Sequence, residues 1–397
     1  MKILLNLLPL KTGGGVQVAL DFLENVAQYG HQHEWFLICR AGMPFEHYCK
    51  RHIKLVARVA DNLPSRAKFE WLGYTKISKA LQPEVAITLF GPHLRVQGAV
   101  NIGGCAYSNL FYPEIDFWQG LPSHRKLLKK VIDQLRFKRL AHNDITIFET
   151  EDLAKRAKNL LQPKHKVTFI RPACSSLVNK DRHHLATQSK CQKIPQAFTI
   201  TLISGYHPNK NIEFLASVAR ELKRTGEMGI CFVLTLPPSN PKVQEFFTEV
   251  KNSDLEAYFY NLGPVPQEGC AEVYRACDAA ILPSNLESFS NMIAESWAMQ
   301  KPLLISDQSW SRSICADGAI YYPHLKPTEL ARKIVALKSG EIDVQECIAR
   351  GLNQLNQYPT SQDRFGQYLQ LIEHAASSDI ESTLPEHPPQ SKMRLHP

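Results

Sequence analysis

The chain has 397 residues, 44% of them hydrophobic and 21% charged. That is ordinary globular usage, enough for two or three domains and unlike a disordered, collagen-like or coiled-coil chain. The net charge of +8 is uneven: residues 1–175 hold 25 Lys and Arg against 14 Asp and Glu, and the remainder 21 against 24. An imbalance of this kind points to an anionic partner for the first half: phosphates, acidic lipid or nucleic acid.

The opening MKILLNLLPL runs into Lys11 and Gly13-Gly14-Gly15 with no A-x-A-like cleavage site, so it reads as a buried first strand rather than a secretory signal. After the glycine turn, Val16, Leu20, Leu23, Val26 and Ala27 have helical spacing. Strands are expected at Ile3–Leu8, Glu34–Cys39, Ile53–Arg58, Val85–Phe90, Gln97–Ile102 and Asp144–Phe148, with helical segments between several of them. These strands are continuously apolar, which suits a parallel sheet covered on both faces and hence a doubly wound α/β domain. Between the last two, His124–Leu140 carries seven Lys and Arg against Asp133 alone. Leu127, Leu128, Val131, Ile132 and Leu135 share one side of the helix it predicts. Two arrangements fit: the apolar side covers the domain and the cations face water, or the helix lies on an anionic membrane surface. No aromatic platform accompanies the cations, so nucleic acid is the weaker partner.

Around 176–196 the pattern lapses into polar sequence, marking a domain boundary. A second α/β series follows, with strands at Phe198–Ile203, Ile230–Leu236, Ala257–Leu262, Ala279–Leu282, Pro302–Ile305 and Ala319–Tyr322. Helices are expected at 211–225, 241–252, 267–276, 291–300 and 327–338. A further helix spans Ser361–Ala376, and the proline-rich remainder, 377–397, reads as a disordered tail. No apolar run is long enough to span a bilayer. The ten cysteines include no C-x-x-C pair, which argues against a zinc or thioredoxin-like site and for a reduced, cytoplasmic protein.

Three loops carry chemistry. The turn Gly13-Gly14-Gly15 lets backbone approach a ligand at a helix start, but Val18 breaks a dinucleotide G-x-G-x-x-G and no Gly-Lys-Ser/Thr follows for a P-loop. In Ser204–Asn211, Lys210 lies where a cation opposes the helix macrodipole, so it is better placed to hold an anion than to stabilise its helix. The third loop, Pro283–Asn291, leads from a strand end into a helix containing Glu295; Ser290 or Asn291 would cap that helix and turn its amides toward a phosphate. Glu287 and Glu295 could each accept hydrogen bonds from sugar hydroxyls; Glu295 could equally be a first-turn acid held by the helix dipole.

Together, G-G-G-V-Q at 13–17, the lysine loop at 204–211, N-L-G-P-V at 261–265 and E-S-F-S-N-M-I-A-E at 287–295 resemble family-4 retaining glycosyltransferases of the GT-B fold. Their signature is two glutamates separated by seven residues. The likeness covers about residues 1–375 and implies two Rossmann-like domains facing each other across a cleft. An acceptor domain would span 1–175, a linker 176–197, and a donor domain 198–360, with helix 361–376 packing back on the first domain.

The resemblance implies transfer of a hexose from a UDP- or GDP-sugar to a lipid-linked or growing glycan, as in lipopolysaccharide, capsule or exopolysaccharide biosynthesis. No metal or other cofactor is implied. Glu287 would contact the donor sugar, Glu295 the ribose, and Lys210 the diphosphate. Gly14, Gly15, Phe289, Ser290 and Asn291 would complete the phosphate cradle, Val265 would border the base, and Gln17 would face the acceptor. The chain departs from the family at Gly205, where members carry an arginine, and at Ser288 and Ser290, where they carry glycines. The histidine that many members place after a first-domain strand has no clear match; Cys105 and His93 are nearest. Two alternatives stay open: a nucleotide-sugar epimerase, which would use the same cleft and donor without an acceptor, and a non-catalytic nucleotide-sugar-binding subunit, which these departures keep in view. Helix 124–140 would seat the protein peripherally on the cytoplasmic membrane.

Overall fold

The computed structural model describes residues 1–377 apart from 12, 50–51, 92, 119–120, 162–164 and 175–182. The proline-rich tail and the first part of the expected linker therefore lie outside the described residues. The chain divides into two compact units, residues 1–172 with 359–397, and residues 173–358.

The first unit runs β1 (Lys2–Asn6), α1 (Gly14–Tyr29), β2 (Glu34–Arg40), β3 (Ile53–Val59), α2 (Leu63–Lys68), α3 (Tyr74–Leu81), β4 (Val85–Thr88), β5 (Val100–Gly104), α4 (Ser123–Leu140), β6 (Ile145–Phe148), α5 (Glu151–Leu160) and β7 (Lys166–Phe169). A single π-helical turn, Phe69–Gly73, joins α2 to α3. The seven strands form one parallel sheet in the order β3-β2-β1-β4-β5-β6-β7. Central strands are buried along their whole length, as in Val85–Thr88 and Ile145–Phe148, because helices cover both faces.

The second unit begins with α6 (Leu185–Cys191), inside the segment expected to be a linker. His184 N donates to the buried Glu272 carboxylate at 2.9 Å, tying α6 down. There follow β8 (Phe198–Leu202), α7 (Glu213–Arg224), β9 (Ile230–Leu234), α8 (Pro241–Asn252), β10 (Phe259–Asn261), α9 (Cys270–Arg275), β11 (Ala279–Leu282), α10 (Asn291–Ala298), β12 (Leu303–Asp307), α11 (Ser309–Cys315), β13 (Ile320–Pro323), α12 (Pro327–Ser339) and α13 (Val344–Leu355). Its six parallel strands are ordered β10-β9-β8-β11-β12-β13.

The last helix, α14 (Ser361–Ala376), belongs to the first unit. Phe22 of α1 meets Phe365 and Tyr368 edge-on, both with ring centroids 5.4 Å away. Beside them Asn25 Nδ2 donates to Ser361 Oγ at 2.7 Å, and Ser361 Oγ donates to Asp21 Oδ1 at 2.6 Å. Phe365, Tyr368, Leu371 and Ile372 share the buried core of β1, β2 and β4.

In each sheet the strand order reverses once, after β1 in the first and after β8 in the second. In such sheets the crevice at the carboxyl end of the two flanking strands is where ligands bind. In the second unit those strands are β8 and β11, and their loops are 203–212 and 283–290.

Candidate active site

Lys210 and Glu287 are 77 residues apart in sequence, and the strand order makes them neighbours. Lys210 ends a short 3₁₀ turn, Pro208–Lys210, rather than starting the helix; α7 begins three residues later, after Asn211 at φ 52°. His207 opens the turn by accepting from Asn209 N at 3.1 Å. Asn209 is buried and staples the loops together: its Oδ1 accepts from Leu286 N at 3.1 Å, its Nδ2 donates to Leu286 O, and its carbonyl accepts from Asn285 N at 2.9 Å.

On that frame Lys210 Nζ donates to Glu287 Oε1 at 2.7 Å, and Ser284 Oγ donates to the same oxygen at 2.6 Å. Asn209 Nδ2 is a third donor, at 3.4 Å. Both ion-pair partners are mostly buried, at 19% and 13% side-chain exposure. A cation and a carboxylate held at the ends of adjacent strands suit a ligand that carries both phosphate and hydroxyl groups.

Ser290 takes the N-cap position of α10 with extended backbone, but its side chain makes no capping hydrogen bond. This corrects the expectation that Ser290 or Asn291 caps the helix: Asn291 is its first residue, and Ser290 Oγ lies 3.5 Å from Lys210 Nζ instead. The first-turn amides of α10 therefore have no side-chain cap and contain no acidic residue, which favours an anion there. Phe289 packs against Tyr358, centroids 5.5 Å apart.

Glu295, one turn into α10, is buried rather than presented to solvent. Its Oε2 accepts from Tyr274 OH at 3.2 Å and its Oε1 from Gln267 Nε2 at 3.4 Å. Burial pushes its carboxyl up to about 7, against the pull of the Tyr274 hydroxyl, the Lys210 charge and the Gln267 amide. The alternative of an ordinary first-turn acid steadied by the helix dipole does not hold, since the first turn of α10 contains no acid and Glu295 is enclosed beyond it. Val265 lies half-buried in the loop after β10 and packs with Leu262 and Val273.

In the first unit, the glycine turn follows β1, beside the reversal point of that sheet. Gly13 has φ 76°, a left-handed conformation that glycine adopts without strain. Gly14, Gly15 and Gln17 lie in the first turn of α1, which has neither a side-chain cap nor an early acid.

Neither candidate for the family histidine stands free. His93 is buried, with Nδ1 2.9 Å from the Thr88 hydroxyl and Nε2 3.0 Å from Asn101 Oδ1. Burial lowers it to about 4, so it is a neutral structural imidazole. Cys105 is buried and its thiol is pushed up to about 12.

Asn209 and Ser284 fall inside the two marked loops, and Gln267 and Tyr274 inside the expected helix 267–276, yet nothing in the sequence alone gives them a role. Among the described residues no cluster of three His, Cys, Asp or Glu could hold a metal ion, and no helix is long and apolar enough to cross a membrane.

Residues 197–339 match the family model of glycosyl transferases group 1, about a third of the chain. No curated protein sequence matches. Solved structures match nearly all of it. A glycosyltransferase from Rickettsia africae is 13% identical, with 95% of this chain and 99% of that one covered, at a TM-score of 0.69. Sucrose-phosphate synthase from Thermosynechococcus elongatus is 15% identical, covering 94% and 98%, at 0.71. HepE from Anabaena, solved with UDP and glucose, is 14% identical, covering 94% and 100%, at 0.64. At these identities the likeness establishes the fold: two Rossmann-like α/β units of the GT-B class.

Proposed function

We propose that this GT-B chain is a retaining glycosyltransferase that moves a hexose from a UDP- or GDP-sugar to a lipid-linked or growing glycan. The observation that carries this reading is the Lys210–Glu287 pair, stapled by Asn209 at the reversal point of the second sheet beside the uncapped start of α10. The family match over 197–339 supports it. So does the HepE structure, whose ligands are UDP and glucose.

In this reading the donor diphosphate draws the Lys210 ammonium away from Glu287 and lies against the amides of Phe289, Ser290 and Asn291. Glu287, relieved of its cation, accepts hydrogen bonds from the sugar hydroxyls, and Glu295 accepts from the ribose. Val265 borders the base. Gly14 and Gly15 contribute backbone to the phosphates, and Gln17 contacts the acceptor. When the acceptor oxygen bonds to the anomeric carbon on the face the diphosphate leaves, the breaking C–O bond puts its electron pair on the β-phosphate. Lys210 stabilises that growing charge, and the departing phosphate takes the acceptor proton. The step uses no metal in this reading. The protein works in the cytoplasm, with α4 against the inner face of the membrane.

Gly205 where the family carries arginine, and the occupied His93 and Cys105, favour one alternative, a subunit that binds nucleotide sugar without turning it over. A thermal-shift panel of UDP-, GDP-, ADP- and dTDP-sugars, with and without chelator, tests donor binding. One nucleotide should raise the melting temperature, independently of chelator, and Lys210→Ala should abolish the rise; a ligand at about 100 times its Kd adds about 2.7 kcal/mol. No shift with any nucleotide would sink the donor site. A shift in the wild type, combined with cellular glycan unchanged in Glu287→Gln, would favour the binding subunit.

A further inference from the structure

The large apolar side chains exposed on the first unit collect largely on two segments. On α4, Leu127, Leu128, Val131 and Leu135 face outward, with Leu127 65% exposed. Of the two arrangements open to a basic amphipathic helix, this excludes the one in which those residues cover the domain. The second segment is α2 with its π turn, where Leu63, Trp71 and Leu72 stand exposed, Trp71 at 80%.

Glu70 joins the segments. It accepts from Arg66 Nε at 2.6 Å, and its other oxygen lies 3.6 Å from Arg139 Nη1, near the end of α4. Tyr107 lies beside α4 with the Arg136 guanidinium 4.4 Å from its ring centroid, and it also feels the charges of Arg66 and Arg139.

One acid of this region, Asp116, is exposed and accepts from Lys126 Nζ of α4 at 2.8 Å; two others are turned inward. Asp133, the one acid of α4, accepts from Asn109 Nδ2 and Trp118 Nε1, both at 2.8 Å, and from Arg136 at 3.0 Å. Glu70 is held between two arginines. Arg125, Lys130 and Lys138 are exposed beside the leucines. A second copy presenting the same cations would be repelled, whereas an anionic lipid surface complements them. Tryptophan and leucine beside lysine and arginine also match the two layers such a surface offers, acyl boundary and headgroup.

We propose that α4 and the α2–π segment form one docking face for an anionic bilayer, with Trp71 and Leu72 as its second anchor and Glu70 as the brace between them. This rests on the reading of α4 as a membrane contact and adds a second anchor to it.

The test is co-flotation of the full chain with phosphatidylcholine vesicles, with and without phosphatidylglycerol. The expected result is binding that requires phosphatidylglycerol and weakens with salt. Trp71→Ser with Leu72→Ser should weaken it about tenfold or more while leaving the nucleotide-sugar thermal shift unchanged. Both side chains are exposed, so the variant keeps its core. Wild-type binding undiminished in that variant, but lost in Arg125→Glu with Lys130→Glu, would leave α4 acting alone and overturn the second anchor only. No wild-type binding to phosphatidylglycerol vesicles would overturn both. A concentration-dependent dimer abolished by the Trp71 and Leu72 changes would make the face a protein interface and overturn the proposal.

Discussion

At Glu295 a carboxyl is enclosed by α10, Tyr274 and Gln267, and burial raises it to about 7. The folded state then holds a proton that an unfolded chain releases near the ordinary 4.5. Stability from this group is full below that ordinary value and is lost as pH rises through about 7. The gap corresponds to about 3 kcal/mol. Denaturant unfolding should therefore show wild-type stability falling by that order relative to Glu295→Gln between pH 5 and pH 8; parallel curves would refute the assignment. If the ionised carboxylate receives the ribose, nucleotide affinity should also drop in the wild type as pH falls through about 7 and stay level in the variant. At the neighbouring pair, Lys210→Ala should reduce kcat/KM by about 10²–10³, the usual loss when one fixed donor to developing charge is removed. Steady-state kinetics with the donor found by thermal shift measure this.

The strands were legible because buried parallel strands are continuous apolar runs: Val85–Thr88 and Ala279–Leu282 show it within a residue or two of the expected bounds. Other elements lack that signal. β7 is a four-residue edge strand containing Lys166 and Thr168. α11 is seven residues with three serines, and α13 has Gly351 in its interior. The role of Asn209 was not legible at all, because its partner loop is adjacent only through the order β8-β11. Nor does the spacing of the leucines in α4 reveal which way they face.

Gly351 shows packing overruling propensity. Alanine is worth about 1 kcal/mol over glycine in a helix interior. Here a Cβ would lie 2.5 Å from Trp297 Cδ1, and the indole is pinned because its Nε1 donates to Gly318 O at 2.7 Å. Gly351→Ala should thus destabilise by about 1–3 kcal/mol, read by denaturant midpoint, despite its better propensity. A stabilised variant would mean that α13 shifts freely on α10.

Across the molecule, the core of the first unit is finished by α14, which follows the whole second unit in sequence. A chain ending at residue 358 would expose Phe22, Leu23 and their neighbours on α1. Its second unit should keep a cooperative transition while its first unit becomes protease-sensitive; equal protease resistance of both units would contradict the packing described here. Supplying Ser361–Ala376 as a fused extension after residue 172 should restore resistance to the first unit.

The same chain path has a kinetic consequence during synthesis. Residues 1–172 leave the ribosome first, but their helical layer on α1 is incomplete until Phe365 and Tyr368 emerge. All six strands of the second sheet lie between residues 198 and 323, so that sheet can be finished while the earlier half waits. Vectorial translation would then complete this protein out of order, the middle first and the beginning last. In the interval the uncovered α1 surface would be the stretch of nascent chain most exposed to chaperones.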